Sequence, residues 1–153
     1  GLLTSIDINF SERIWPDREE AKLVLKEYLS TNPLVKLSED DCYRLFAAVK
    51  SEEYIFDYFH SLGASTICLT KGKNGVVVSD IHQGLFFQKA IPIGEVKDTT
   101  GAGDAFWTGF LYAQLHQNSL EETITVAQKL AAIKLQNVGR LPENINIKAL
   151  IEE

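Results

Sequence analysis

Asp98-Thr99-Thr100-Gly101-Ala102-Gly103-Asp104-Ala105-Phe106 sets two glycines, two hydroxyls and two acids immediately before an amphipathic stretch of helical period. Glycine has no Cβ, so at Gly101 and Gly103 the backbone can approach a ligand closely or take a positive φ. A helix that begins here points its unpaired N–H groups and the positive end of its dipole back at the loop, which suits an anion and phosphate above all. Asp104 falls in the first helical turn. A carboxylate beside a phosphate site is electrostatically costly unless it takes up a proton during chemistry, so the pattern reads as a general base for phosphoryl transfer. A plainer reading stays open beside it: Asp98 or Thr100 caps the helix and the glycines turn the chain. Two other phosphate-loop patterns are excluded. Phe106 stands where a dinucleotide-binding fingerprint needs its third glycine, and Gly72-Lys73-Asn74-Gly75 lacks the spacing of a Walker A loop.

Outward from the string, the helix is expected over about Gly103 to His116. Ser119-Leu120-Glu121-Glu122 has capping-box spacing and opens a long helix toward Asn137. On the N-terminal side, Ser65 to Thr70 and Gly75 to Ser79 read as strands around Asn74-Gly75, a favoured hairpin dipeptide. Leu85 to Ile91 follows as another strand after His82-Gln83-Gly84. Further back, Leu2 to Phe10 reads as a strand, Trp15-Pro16-Asp17 as a helix start, and Leu34 to Leu37 as a strand. Leu23, Val24, Tyr28 and Leu29 are the expected inner face of the first helix. Ser38-Glu39-Asp40-Asp41 opens a second helix in capping-box style. Ser51-Glu52-Glu53 opens a third that turns Ile55, Tyr58, Phe59 and Leu62 inward and ends at Gly63. A short helix over Asn146 to Glu153 closes the pattern. Mixed strands and helices give an α/β sheet, partly antiparallel because of the hairpins.

The 153 residues are 45% hydrophobic and 24% charged, which is ordinary for one globular domain with a real core. A net charge of −6 offers no basic patch and argues against a nucleic-acid partner. Cys42 and Cys68 are too few and too far apart for a disulfide framework or a metal cluster, which suits a reducing cytosol. The apolar runs are too short to span a bilayer and the start does not read as a signal peptide, so a cytoplasmic location is expected, with no membrane partner.

Taken whole, the nine-residue string resembles the C-terminal signature of the ribokinase, or PfkB, family of carbohydrate kinases. Thr70-Lys71-Gly72-Lys73-Asn74-Gly75 resembles that family's Thr-x-Gly-x-x-Gly segment. Asp7-Ile8-Asn9, followed by Trp15, resembles a segment of its fructokinase-like and 2-keto-3-deoxygluconate-kinase-like members. Gly139-Arg140-Leu141-Pro142 resembles its late Gly…Pro turn. Family members are longer, so the resemblance implies a C-terminal half, with residues 1–153 as a single nucleotide-binding and catalytic domain. The implied fold is a three-layer αβα ribokinase-like core with helices on both sheet faces, lacking the N-terminal half and its lid.

The implied activity is phosphorylation of a sugar hydroxyl by ATP with Mg²⁺. By resemblance Asp104 is the general base, and the N–H groups of Gly101, Ala102 and Gly103 form an anion hole. Thr70, Gly72 and Gly75 contact the nucleotide together with Thr100, Gly101 and Gly103. Small residues of the last long helix, Ala127 and Ala131, cover the adenine. Asp7 and Asn9 join Asp104 at the sugar. Asp98 and Thr100 match positions that ligate a monovalent cation, K⁺ in some members, although both would serve equally as a hydrogen-bonded scaffold for the loop. Asp41 matches a residue that helps place Mg²⁺. A homodimer of the full-length protein is implied as well.

Three positions depart from the family pattern. Ser11 stands where an Arg usually follows the Asp-x-Asn segment, with Arg13 two residues further on. Ser38 and Asp41 stand where the family has Asn-x-x-Glu, and Ser38 lacks the carbonyl and NH₂ of an Asn side chain. A capping box accounts for Ser38 and Asp41 without any metal. These departures motivate a second expectation beside the kinase: a nucleotide-binding pseudokinase or regulatory module that transfers nothing.

Overall fold

The computed structural model describes residues 2–152. Its elements are β1 (Ser5–Asp7), α1 (Arg18–Leu29), β2 (Leu34–Ser38), α2 (Glu39–Phe46), α3 (Glu52–Ser61), β3 (Thr66–Thr70), β4 (Val76–Asp80), β5 (Gly84–Gln88), α4 (Ala102–Leu115), α5 (Leu120–Leu135) and α6 (Ala149–Glu152). The chain divides into two compact units, one up to Phe87 and one from Gln88.

The first unit is built on a mixed sheet of strand order β1-β2-β3-β4-β5. β1, β2 and β3 run parallel, with Asp7 opposite Lys36 and Ser38 opposite Thr70. β3 and β4 are antiparallel, with Thr70 opposite Val76. Strand side chains alternate between faces, and one face sends Val35, Leu37, Ile67, Leu69 and Val77 into a core shared with α1, α2 and α3. The alternate set, Leu34, Lys36, Thr66, Cys68, Val76 and Val78, is buried too. Burial on both faces is what strands reading as near-continuous apolar runs should give. Phe46 sits edge-on to Tyr54, Tyr58 and Phe59, with ring centroids 5.0–6.4 Å apart.

The first helix departs from its expected face. Leu25 and Leu29 are buried with Ala21, whereas Leu23, Val24 and Tyr28 are exposed. Asp17 caps the helix, accepting from the Glu19 and Glu20 N–H groups. The 21-25-29 stripe packs into the core, where Ala21, Leu25 and Leu29 meet the strand residues. The first strand is also shorter than Leu2 to Phe10. Asn9 takes φ 31, a left-handed conformation that ends the extended run. The hairpin between β3 and β4 forms without a two-residue Asn-Gly turn. A 3₁₀ turn over Gly72–Asn74 intervenes, closed by Lys71 N–H to the Gly75 carbonyl at 2.8 Å. β5 ends at Gln88 rather than Ile91.

α2, α3 and α5 start where their caps were read. Ser38 and Asp41 form a full capping box, as do Ser119 and Glu122, and Ser51 accepts from the Tyr54 N–H. α3 stops at Ser61, and Gly63, just past its Leu62 C-cap, has φ 113 and would set a Cβ 2.5 Å from the Leu29 carbonyl oxygen. In the second unit α4 and α5 pack antiparallel. Gly109 makes this possible, because a Cβ there would lie 2.9 Å from the Ala127 Cα. Gln114 Nε2 donates to Thr123 Oγ1 further along the pair. α5 ends at Leu135 and α6 covers only Ala149–Glu152; the expected end of that helix at Glu153 lies outside the described residues. Cys42 and Cys68 are free and buried, and burial pushes the Cys42 thiol up to about 12, so neither is a reactive thiolate. Among the described residues no helix is long and apolar enough to cross a membrane.

Candidate active site

The loop before α4 is held by one carboxylate. Asp98 Oδ1 accepts from the Thr100 N–H at 2.9 Å, and Oδ2 accepts from the Gly139 N–H at 3.1 Å. The Thr100 and Gly139 N–H groups, with help from Lys134, hold the Asp98 carboxyl well below the usual carboxylate range. Gly101 caps α4 at φ 76 and ψ 6, a left-handed conformation that glycine adopts at little cost. The Ala102 N–H turns back to the Thr99 carbonyl at 3.2 Å and the Ala105 N–H to Gly101 at 2.9 Å. Gly101, Gly103 and Asp104 keep N–H groups with no acceptor among the described residues. These are the orphan donors that every helix start leaves over, gathered here on one turn. The Asp104 side chain is exposed in that turn, with no hydrogen bond or ion pair among the described residues.

A side chain that sequence reasoning missed sits under the turn. Lys134, in the last turn of α5, is 5% exposed. Its Nζ donates to Asp98 Oδ2 at 3.1 Å and to the Asn137 carbonyl at 3.1 Å. Its Cε lies 3.7 Å from where a Gly101 Cβ would be. A lysine at the end of a helix reads as a dipole complement, and a partner 36 residues earlier leaves no local pattern. Both Asp98 carboxylate oxygens are thus spent within the fold, on the Thr100 and Gly139 N–H groups and on the Lys134 ammonium, which stands beside the carboxylate that the resemblance assigned to a monovalent cation. The residues present do not fit such an ion. Ala127 is fully buried against Gly109, so helix packing accounts for it, while Ala131 is half-buried.

In the first unit, Gly72 and Gly75 have φ 52 and 100, so both glycines of the Thr70–Gly75 segment serve left-handed positions. Thr70 Oγ1 reaches the Leu37 carbonyl at 3.4 Å. Lys71 pairs with Glu52, which raises its pKa. Asp7 and Asn9 stand at the end of β1, where Asp7 Oδ2 meets the buried Lys36 Nζ at 2.8 Å and Asn9 is exposed. Lys36 was legible as an oddity, a lysine inside the apolar run Leu34–Leu37. Ser11 accepts from the Ile14 and Trp15 N–H groups through its backbone and closes a turn.

Asp41 was the candidate magnesium ligand. Its Oδ2 accepts from the Ser38 N–H at 2.9 Å and hydroxyl at 2.6 Å, and its Oδ1 from Arg44 Nη2 at 2.5 Å. Arg44 also donates to the Phe10 carbonyl at 2.9 Å. An ion at Asp41 would have to break the capping box and displace Arg44, so Asp41 does not fit that role. Among the described residues no group of three His, Cys, Asp or Glu side chains could hold a metal ion.

Comparison with known proteins gives the family. The pfkB family carbohydrate kinase profile matches residues 3–144. The chain is 32% identical to an ATP-dependent 6-phosphofructokinase of Thermoanaerobacterium thermosaccharolyticum, over 99% of this chain and 47% of that protein. It is 30% identical to a 2-dehydro-3-deoxygluconokinase of Haemophilus influenzae, over all of this chain and 49% of that protein. A structure of Arabidopsis thaliana ribokinase complexed with ribose and ATP superposes with a TM-score of 0.73 at 26% identity, over 83% of this chain and 42% of that one. The chain thus spans about half the length of the curated relatives it matches. The family match runs over residues 3–144, and the mixed five-stranded sheet with its helices agrees with it: the chain belongs to the pfkB family of carbohydrate kinases.

Proposed function

We propose that the protein carrying this chain transfers the γ-phosphoryl group of ATP to a hydroxyl of a sugar. The observation that carries this reading is the α4 start. An Asp104 carboxylate without a partner among the described residues shares one turn with the N–H groups of Gly101 and Gly103, which have no acceptor among them. Asp104 takes the proton of the sugar hydroxyl as its oxygen attacks the γ-phosphorus. The bond from that phosphorus to the bridging oxygen breaks, and ADP leaves with the electron pair. A positioned base is worth roughly 10²–10⁴-fold in such a step. The N–H groups stabilise negative charge on the transferring phosphoryl oxygens, the term that is generally largest. Ala102 joins this hole only if its N–H leaves the Thr99 carbonyl.

Thr70, Gly72 and Gly75 are proposed to contact the nucleotide, with Thr100 and Ala131. Asp7 and Asn9 are proposed to contact the sugar, Asp7 oriented by Lys36. Mg²⁺ would arrive on the triphosphate and neutralise its charge, and no side chain of this chain is assigned to it. The names of the relatives favour an acceptor of the fructose or 2-keto-3-deoxygluconate kind. The test is ADP release by the complete protein against a panel of keto sugars, sugar acids and sugar phosphates. Saturable, sugar-dependent ADP release is expected. ATP binding without release for every acceptor would contradict the proposal and favour a pseudokinase.

A further inference from the structure

We propose that Lys134 is a tethered replacement for a monovalent cation, so that the loop before α4 is ordered without K⁺. A potassium ion and a lysine ammonium carry the same single charge and are both satisfied by oxygen atoms. The Lys134 ammonium has two of them at 3.1 Å, one Asp98 carboxylate oxygen and the Asn137 carbonyl. Its side chain is 6% exposed, so it holds this place in preference to solvent. The same Asp98 oxygen binds the Gly139 N–H and the other binds the Thr100 N–H, so the carboxylate has no oxygen left without a partner. A free monovalent ion bound here would stand beside a buried like charge, where low dielectric makes repulsion severe.

The tether has a further consequence. Lys134 reaches the loop from its own helix, so its effective concentration is fixed by covalent structure and does not depend on the medium. Its Cε packs 3.7 Å from the Cβ position of Gly101. The charge that neutralises Asp98 and the methylene that supports the left-handed turn therefore belong to one side chain. Loop order becomes a property of the chain rather than of the salt around it.

Thermal unfolding of the complete protein in potassium, sodium and choline chloride at equal ionic strength tests this. The wild type is expected to unfold at the same midpoint in all three salts. Lys134→Ala is expected to unfold at a lower midpoint in choline and to regain part of the loss, saturably, in K⁺. A wild type stabilised saturably by K⁺, with the effect abolished by Asp98→Asn, would overturn the proposal. So would a folded Lys134→Ala that is indifferent to K⁺, since the position would then not be a cation position. If that variant does not fold in any salt, titration calorimetry of thallium(I) into the wild type decides: no binding supports the tether and saturable binding refutes it. These readouts do not need turnover, so an inactive protein would count against the kinase reading alone.

Discussion

Lys36 of β2 donates from its buried Nζ to Oδ2 of Asp7 at 2.8 Å, across the register pair that joins β1 to β2. The pair places a charged carboxylate at the C-terminal end of a parallel strand, where open α/β sheets take their ligands. Removing one partner of a buried pair leaves an uncompensated charge. Lys36→Met is expected to cost about 3 kcal/mol of stability by denaturant unfolding. The Asp7→Asn/Lys36→Met double variant should lose less than the two single variants added together. In the kinase reading Lys36→Met also raises the sugar KM.

Asp98 should set the acid limit of the loop. Its carboxyl is held below the ordinary aspartate value of about 3.9 by the Thr100 and Gly139 N–H groups and by Lys134. A depressed carboxylate contributes stability that is fully present above its unfolded pKa and is lost as pH falls through the lowered folded value. The loop should therefore stay protected against amide exchange down to pH 4 and lose protection below it. Asp98→Asn should remove that dependence.

Gly109 should be intolerant of any side chain. A Cβ would meet the α5 backbone at Ala127 Cα, 2.9 Å away, and backbone cannot rotate aside. Gly109→Ala is expected to destabilise the α4–α5 pair by about 1–3 kcal/mol, the usual cost of overpacking, in spite of alanine's better helix propensity. Equilibrium unfolding measures it.

Ser38 and Asp41 should behave as a cap rather than as metal ligands. Ser38→Ala is expected to cost about 1 kcal/mol. Asp41→Asn should lower stability through the weakened Arg44 contact and leave the magnesium dependence of ATP binding unchanged. Calorimetric ATP titrations at several Mg²⁺ concentrations check the second point, and a raised Mg²⁺ requirement in Asp41→Asn would contradict it.

What the sequence made legible was local. The capping boxes at Ser38/Asp41 and Ser119/Glu122 rest on groups three residues apart, so spacing alone found them. The glycine-rich string before α4 announced itself in the same way. Three features did not. α1 carries apolar residues around much of its surface, so the period alone picked Leu23, Val24 and Tyr28, where tertiary packing buries Ala21 and Leu25. Asn74-Gly75 favours a two-residue turn, but the chain spends residues 71–75 on a 3₁₀ turn whose glycines at 72 and 75 both take positive φ. Lys134 and Lys36 meet acids 36 and 29 residues away, and pairings of that range are set by tertiary packing. The loop scaffold was thus readable, while the cation that supports it was not.

Asp104→Asn tests the central claim most directly. The measurement is kcat for sugar-dependent ADP release by the complete protein, with ATP affinity measured alongside. Loss of the base should lower kcat by roughly 10²–10⁴-fold, while ATP affinity and unfolding midpoint stay close to wild type, because the exposed Asp104 carboxylate has no partner among the described residues. An Asp104→Asn protein that turns over at the wild-type rate would show that the proton goes elsewhere and that this carboxylate is only a helix start.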